Sequence, residues 1–106
     1  MLNIRYEKTT HPKTKPDFVN VIPGWGAVTT DHMFMMDYDR ENGWHDARII
    51  PYGTFAVDPG CMAFHYAHEI FEGIKVFKNK EGTPLLFRLD MNAARFRRSA
   101  HRVMIP

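Results

Sequence analysis

Apolar and polar residues divide this chain into short stretches, and each stretch has its own period. The mostly apolar run 32–38 has the length of a strand, and the turn-forming residues 39–43 follow it. Residues 47–52 predict a return strand with Pro51 at its edge. Together, these stretches predict a β-hairpin in the first half of the chain.

The second half predicts a helix, a further hairpin and a second helix. Residues 62–71 contain no glycine or proline, and apolar side chains recur on one helical face up to Gly73. An alternating stretch, 74–78, then precedes a turn at 79–82 and a return strand at 85–87.

Asp90 is positioned to cap the last predicted helix, which runs from residue 91 to about residue 104. Three of its arginines share one face at spacings of three and four, namely Arg95, Arg98 and Arg102. The fold class that follows is α+β, an antiparallel sheet with two helices. Residues 1–23 are rich in lysine and proline and predict an extended arm, with packed structure beginning near Trp25 in a domain that spans 24–106.

Composition narrows the class of protein. Of the 106 residues, 44% are hydrophobic and 25% are charged, which is typical of soluble folded proteins with a buried core. The single cysteine, Cys61, can make no internal disulfide and favours a reducing compartment, where we expect it to be inert. No apolar run approaches the ~20 residues that span a bilayer, so the sequence predicts a cytoplasmic protein without a membrane partner.

Charge is concentrated near the C-terminal end of the sequence. The formal net charge is only +2, which is too small to imply a polyanionic partner for the whole molecule. Residues 88–102, however, contain five arginines and one acid. An arginine offers a planar fork of donors that matches phosphate or carboxylate oxygens. From the residues alone, two alternatives stay open: a solvated helix face, or a site for an anion or a nucleic acid backbone.

The remaining chemistry-bearing residues have ordinary structural interpretations. His65 and His68 do not have the spacing of a zinc-binding His-Glu-x-x-His motif, so we expect hydrogen-bonding histidines and no metal site. Tyr66, Phe71 and Phe77 are predicted core aromatics by default. Residue chemistry by itself therefore predicts a soluble α+β domain with an anion-binding helix.

Several short motifs together resemble one enzyme family. They occur in the family's order and at the family's spacing: Thr-Asp-His-Met at 30–33, Gly-Trp at 43–44 with Ala-Arg-Ile at 47–49, His-Tyr at 65–66 with Phe-Glu-Gly-Ile-Lys at 71–75, and Phe-Arg at 87–88 with Asn92, Arg95, Ser99, Arg102 and Pro106. Over about residues 24–106, the sequence resembles the N-terminal part of branched-chain amino acid aminotransferases. These are pyridoxal phosphate enzymes of fold type IV. The resemblance implies the small N-terminal domain of that architecture.

The resemblance also implies roles for particular residues. Arg95 matches the arginine that binds the phosphate of pyridoxal 5'-phosphate. Tyr66 and Phe71 match residues that line the pocket for the substrate side chain, Gly73 lies close to the substrate, and Trp25 stands where the family usually has a pocket phenylalanine. The implied reaction transfers the amino group of leucine, isoleucine or valine to 2-oxoglutarate. The implied assembly is a homodimer in which Tyr66 serves the neighbouring subunit.

The lysine that binds the cofactor covalently in this family lies beyond position 106. None of the lysines present matches it, including Lys75 beside the Phe-Glu-Gly motif. No residue of this chain is therefore assigned a catalytic role. We expect a fragment that has no transaminase activity alone and contributes the phosphate-binding arginine and pocket residues to a larger enzyme.

Overall fold

The computed structural model describes residues 2–17, 20 and 22–106. It divides into two compact units, Met1–Ala56 and Val57–Pro106. The elements in chain order are β1 (Arg5–Tyr6), β2 (His32–Asp39), β3 (Gly43–Pro51), α1 (Met62–Tyr66), β4 (Val76–Lys78), β5 (Pro84–Leu86) and α2 (Leu89–Arg102). The predicted α+β class with two helices is confirmed.

The first unit is built on the predicted hairpin. β2 and β3 pair antiparallel, and β3 starts four residues before the predicted return strand. The turn between them forms because the Asp39 carboxylate accepts hydrogen bonds from the backbone N–H groups of Glu41 at 2.9 Å and Asn42 at 2.7 Å. Gly43 follows with φ +65°, a conformation that glycine adopts without steric cost.

A β-bulge interrupts this hairpin. Met35 pairs with Arg48 and Asp37 pairs with His45, so two residues of β3 oppose Met36 alone. The extra residue, Asp46, has φ +47°, and its carbonyl accepts a hydrogen bond from Arg48 Nη1 at 2.8 Å. Arg48 also donates to both carboxylate oxygens of Asp37, at 2.8 and 3.3 Å, and this contact lowers the pKa of Asp37.

The N-terminal residues add a third strand. β1 pairs parallel with β3, which gives a sheet in the order β1-β3-β2. Beyond it, Thr9 N–H donates to His32 Nε2 at 3.0 Å. Strand structure thus begins before Trp25, and the sheet, which was predicted to be antiparallel, also contains one parallel pair. A two-residue pairing leaves no period in the sequence that could predict it. Of the predicted arm, residues 1, 18, 19 and 21 lie outside the described residues.

The second unit begins with a helix shorter than predicted. α1 ends after five residues because Ala67 takes the left-handed conformation, φ +48° and ψ +38°. His68 N–H then donates back to the Met62 carbonyl at 3.4 Å, which closes the helix. The predicted continuation to residue 71 was wrong: the apolar spacing persists, but the backbone past Ala67 is not helical.

The β4–β5 hairpin and α2 complete this unit. β4 and β5 pair antiparallel as predicted, around a turn in which Asn79 Oδ1 accepts from Thr83 N–H at 2.7 Å. α2 begins at Leu89, with Arg88 as its N-cap residue at φ +50° and no side-chain capping bond. Asp90, the predicted cap, instead lies in the first turn, where its charge still favours the helix dipole.

Burial is much lower than the composition predicts. Among the described residues, Ala47, at 4% exposed, is the only buried hydrophobic residue. The expectation of a buried core was wrong, and so was the default assignment of Tyr66, Phe71 and Phe77 to that core, since all three are exposed. Within the part of the chain that the structure describes, no helix is both long enough and apolar enough to cross a membrane.

Candidate functional site

An extended segment, residues 67–75, runs beside α2 in the second unit and is attached to it at two places. At one end, His68 Nε2 donates to the Val103 carbonyl at 2.6 Å. At the other, Asn92 Nδ2 donates to the Gly73 carbonyl at 3.0 Å. The helical rise between Asn92 and Val103 is roughly 16 Å, and an extended chain from His68 to Gly73 spans roughly the same length. The segment is therefore held alongside α2, antiparallel to it.

Between these two attachments lies an ion pair. Glu72 Oε2 accepts a hydrogen bond from Arg95 Nε at 2.7 Å, and Glu72 Oε1 accepts one from Arg95 Nη2. Asn92 Nδ2 also donates to Oε1, at 2.9 Å. The Glu72 side chain is 9% exposed and that of Arg95 is 61% exposed, so the carboxylate is covered while the guanidinium faces solvent.

The pair shifts the titration of the carboxylate. Hydrogen bonds from Arg95 and then from Asn92 lower the pKa of Glu72 from 4.5 to about 2, because they stabilise its ionised form. The same contact raises the pKa of Arg95 above its ordinary value. Both groups are charged at neutral pH, and the guanidinium is held in a two-point fork.

Arg95 lies in an open groove that carries more positive charge. The groove is lined by Ile70, Arg95, Arg98, Ser99, Arg102 and Val103. Only two of the five guanidinium N–H groups of Arg95 bond to Glu72, and Nη1 has no hydrogen-bond partner among the described residues. The groove therefore has donors and charge suited to an anion such as a phosphate.

The predicted pocket residues lie in different parts of the chain. Tyr66 ends α1, and Phe71 and Gly73 lie on the extended segment, where Gly73 is attached to α2 through Asn92. The aromatic side chains of Tyr66 and Phe71 are 77% and 86% exposed. Trp25 belongs to the first unit and is fully exposed. The structure thus brings Gly73 and Arg95 close together around Glu72 and Asn92.

The two histidines have the hydrogen-bonding role predicted for them. His65 Nε2 donates to the Pro59 carbonyl at 2.7 Å, across the start of α1, and His68 bonds the C-terminal end of α2. A ring nitrogen that bonds a carbonyl must carry the proton, so Nε2 is the donor in both rings. Both residues stabilise the framework of the second unit.

Comparison with known proteins finds similarity to one group of enzymes. The chain is 50% identical over 84 residues to the branched-chain-amino-acid aminotransferase of Mycobacterium tuberculosis, a match that covers 79% of this chain. It is 44% identical over 103 residues, 97% of its length, to branched-chain-amino-acid transaminase 1 of Bacillus subtilis. It is 40% identical over 107 residues to the corresponding enzyme of Mycolicibacterium smegmatis. Over most of its own length, this chain is similar in sequence to branched-chain-amino-acid aminotransferases.

The match to these aminotransferases is partial in length. The chain spans about a quarter of the relatives, 23% of the Mycobacterium tuberculosis enzyme and 28% of the Bacillus subtilis enzyme. No family model matches the chain. The similarity to the aminotransferases therefore rests on identity to named enzymes over 79–99% of this chain.

The ionic partner of Arg95 could not be predicted from the sequence. Glu72 lies 23 positions away in the sequence, and no spacing rule connects the two residues. One signal was available: Asn92 and Arg95 are three apart, so on a helix they share a face. That spacing identifies one face of α2, but only the path of residues 67–75 brings Glu72 to it.

Proposed function

We propose that this chain is the N-terminal part of a pyridoxal phosphate-dependent branched-chain amino acid transaminase of fold type IV. The observation that carries the proposal is the identity of 40–50% to three named aminotransferases over most of the chain. The substrates are then leucine, isoleucine or valine and 2-oxoglutarate, in a cytoplasmic homodimer. The relatives' names give no support to a nucleic acid partner.

The groove on α2 fits the phosphate of the cofactor. A phosphate dianion accepts several hydrogen bonds at once, and the groove is lined by three arginines, Arg95, Arg98 and Arg102. When bound, pyridoxal phosphate supplies the electron sink that makes transamination possible. The role of Arg95 is to bind and orient the phosphate, and Ser99 adds a hydroxyl to the same groove.

The exposed aromatic residues fit a substrate pocket completed by other parts of the enzyme. Tyr66 and Phe71 are largely exposed, which is costly for aromatic rings unless a ligand or partner covers them. Gly73 has no close neighbour where a Cβ would lie, so nothing in the described chain requires glycine there. We assign Tyr66, Phe71, Gly73 and Trp25 to substrate binding, with Gly73 leaving room for the substrate.

Two variants of the proposed enzyme, each lacking one arginine charge, test whether Arg95 binds the cofactor phosphate. Arg95→Gln should weaken binding of pyridoxal phosphate tenfold to a thousandfold, on the order of a few kcal/mol. Arg97→Gln is the control, because it removes the same charge from the same helix outside the Arg95 groove. An equilibrium titration followed by cofactor fluorescence measures the affinity of each variant for pyridoxal phosphate. Equal affinities for the two variants would contradict the assignment.

The sequence encoded after Pro106 tests the enzyme assignment separately. A downstream lysine in the family's context, with glutamate formed from leucine and 2-oxoglutarate by the purified protein, is the expected result. A stop codon immediately after Pro106 would remove the proposed activity.

A further inference from the structure

The contact between Glu72 and Arg95 gives a largely covered acid a defined task. The Glu72 carboxylate is almost fully covered and accepts hydrogen bonds from both Arg95 and Asn92. A covered carboxylate requires such partners because its desolvation is costly. We propose that Glu72, oriented by Asn92, is a positioning residue that holds the Arg95 guanidinium in the orientation that binds the cofactor phosphate. This inference rests on the proposed function.

The two hydrogen bonds between Glu72 and Arg95 determine which edge of the guanidinium is available to an anion. Glu72 binds Nε and Nη2, and this fixes the plane of the group and leaves the N–H groups of Nη1 outside the ion pair. Without Glu72, the Arg95 side chain, which is 61% exposed, is free to adopt many rotamers in solvent. A phosphate that binds such an arginine must order it, and this ordering lowers affinity.

Asn92 links this orientation to the backbone. Its Nδ2 donates to Glu72 Oε1 and to the Gly73 carbonyl, so one side chain on α2 holds both the carboxylate and the extended segment. The arrangement therefore connects the phosphate-binding residue Arg95 to Gly73, which we assign to the substrate. Substitution of Asn92 is therefore expected to weaken the attachment of both the Glu72 carboxylate and the extended segment to α2.

Charge and positioning predict opposite outcomes when Glu72 is neutralised. Removing a negative charge near a phosphate site raises phosphate affinity if electrostatics alone matter. Losing the fork lowers the affinity, because Arg95 is no longer ordered. The direction of the change therefore separates positioning from a simple charge effect.

The test measures binding of pyridoxal phosphate and of pyridoxal, which lacks the phosphate, to the apo form of the protein that carries these residues. Glu72→Gln should lower the preference for the phosphorylated form about tenfold. Glu69→Gln is the matched control: it removes an exposed acid from the same segment and should leave the preference unchanged. An unchanged or increased preference in Glu72→Gln would overturn the inference.

A double-variant cycle shows whether Glu72 acts through Arg95. In an Arg95→Gln background, Glu72→Gln should change the preference for pyridoxal phosphate over pyridoxal less than twofold. If the effects of the two substitutions multiply instead, the residues act independently and the proposal is contradicted. Asn92→Ala, which keeps both charges, should lower the preference in the same direction by a smaller factor. It provides the test if Glu72→Gln fails to fold, and an unchanged preference in Asn92→Ala would then count against the inference.

The two proposals fail in different ways. If Arg95→Gln leaves the preference for the phosphorylated form unchanged, the phosphate assignment under the proposed function is wrong. If Arg95→Gln lowers the preference and Glu72→Gln does not, only the positioning role is wrong.

Discussion

At neutral pH, the Glu72 carboxylate is ionised and bonded to two side chains of α2. Its pKa is about 2 in the folded chain against 4.5 ordinarily, so the folded state holds the proton less tightly than the unfolded state. The stabilisation is therefore complete above pH 4.5 and is lost as the pH falls toward 2. Below that range, Glu72 is protonated in both states, and the contribution has disappeared.

A carboxyl titration followed by NMR checks this pH dependence. We expect the Glu72 side chain to titrate near pH 2, and Arg95→Gln should move the midpoint up toward 4.5, because the first cause of the shift is the Arg95 hydrogen bond. Arg97→Gln should leave the midpoint in place. A midpoint near 4.5 in the unsubstituted chain would show that the ion pair does not form in solution.

At the scale of elements, the end of α1 depends on a single backbone conformation. Ala67 has φ +48° without being glycine, and the left-handed region costs an L-residue about 1–2 kcal/mol. This strain ends the helix and directs residues 67–75 along α2. The termination is thus decided by contacts of the following segment, such as the His68 bond to Val103.

Substituting glycine at position 67 should change the free energy of unfolding in a predictable direction. Ala67→Gly should raise the free energy of unfolding by about 1 kcal/mol, because glycine adopts this conformation without steric cost. Ala63→Gly, inside α1, should lower it by about 0.5–1 kcal/mol. Urea unfolding of both variants, made in the longer enzyme proposed above, measures the two effects. Destabilisation by Ala67→Gly would mean that residue 67 is helical.

At the scale of the whole molecule, apolar surface is exposed in both units. Among the described residues, Ala47 is the one buried hydrophobic residue, while Trp25, Phe71 and Phe87 are largely exposed. A chain that buries so little has a small hydrophobic contribution to folding. Relatives about four times as long have further chain available to cover such surface.

This exposure predicts how the 106-residue chain behaves alone. It should bind the hydrophobic dye ANS and unfold in urea over a broad range, because little surface changes its environment on unfolding. Dye fluorescence and circular dichroism during a urea titration give both properties. A sharp cooperative transition without dye binding would contradict the low burial seen here.

The sequence by itself determined the local elements and the resemblance to the aminotransferases. The 32–38 and 47–52 stretches, the Asn79 turn and the arginine face of α2 all follow from periods and turn residues within about fifteen positions of one another. The resemblance followed from motifs such as Phe-Glu-Gly, whose order and spacing are visible in the sequence. Neither the elements nor the resemblance depends on a contact between residues that are distant in the sequence.

Only the tertiary structure decided which distant residues meet. It pairs β1 with β3, places the bulge at Asp46, ends α1 at Ala67 and brings Glu72 onto Arg95. The physical reason is the same in each case: the bonds join segments whose approach depends on the path of the chain between them. A periodic pattern describes one segment at a time, so it cannot specify the partner of Arg95 or the edge of the guanidinium left to bind an anion.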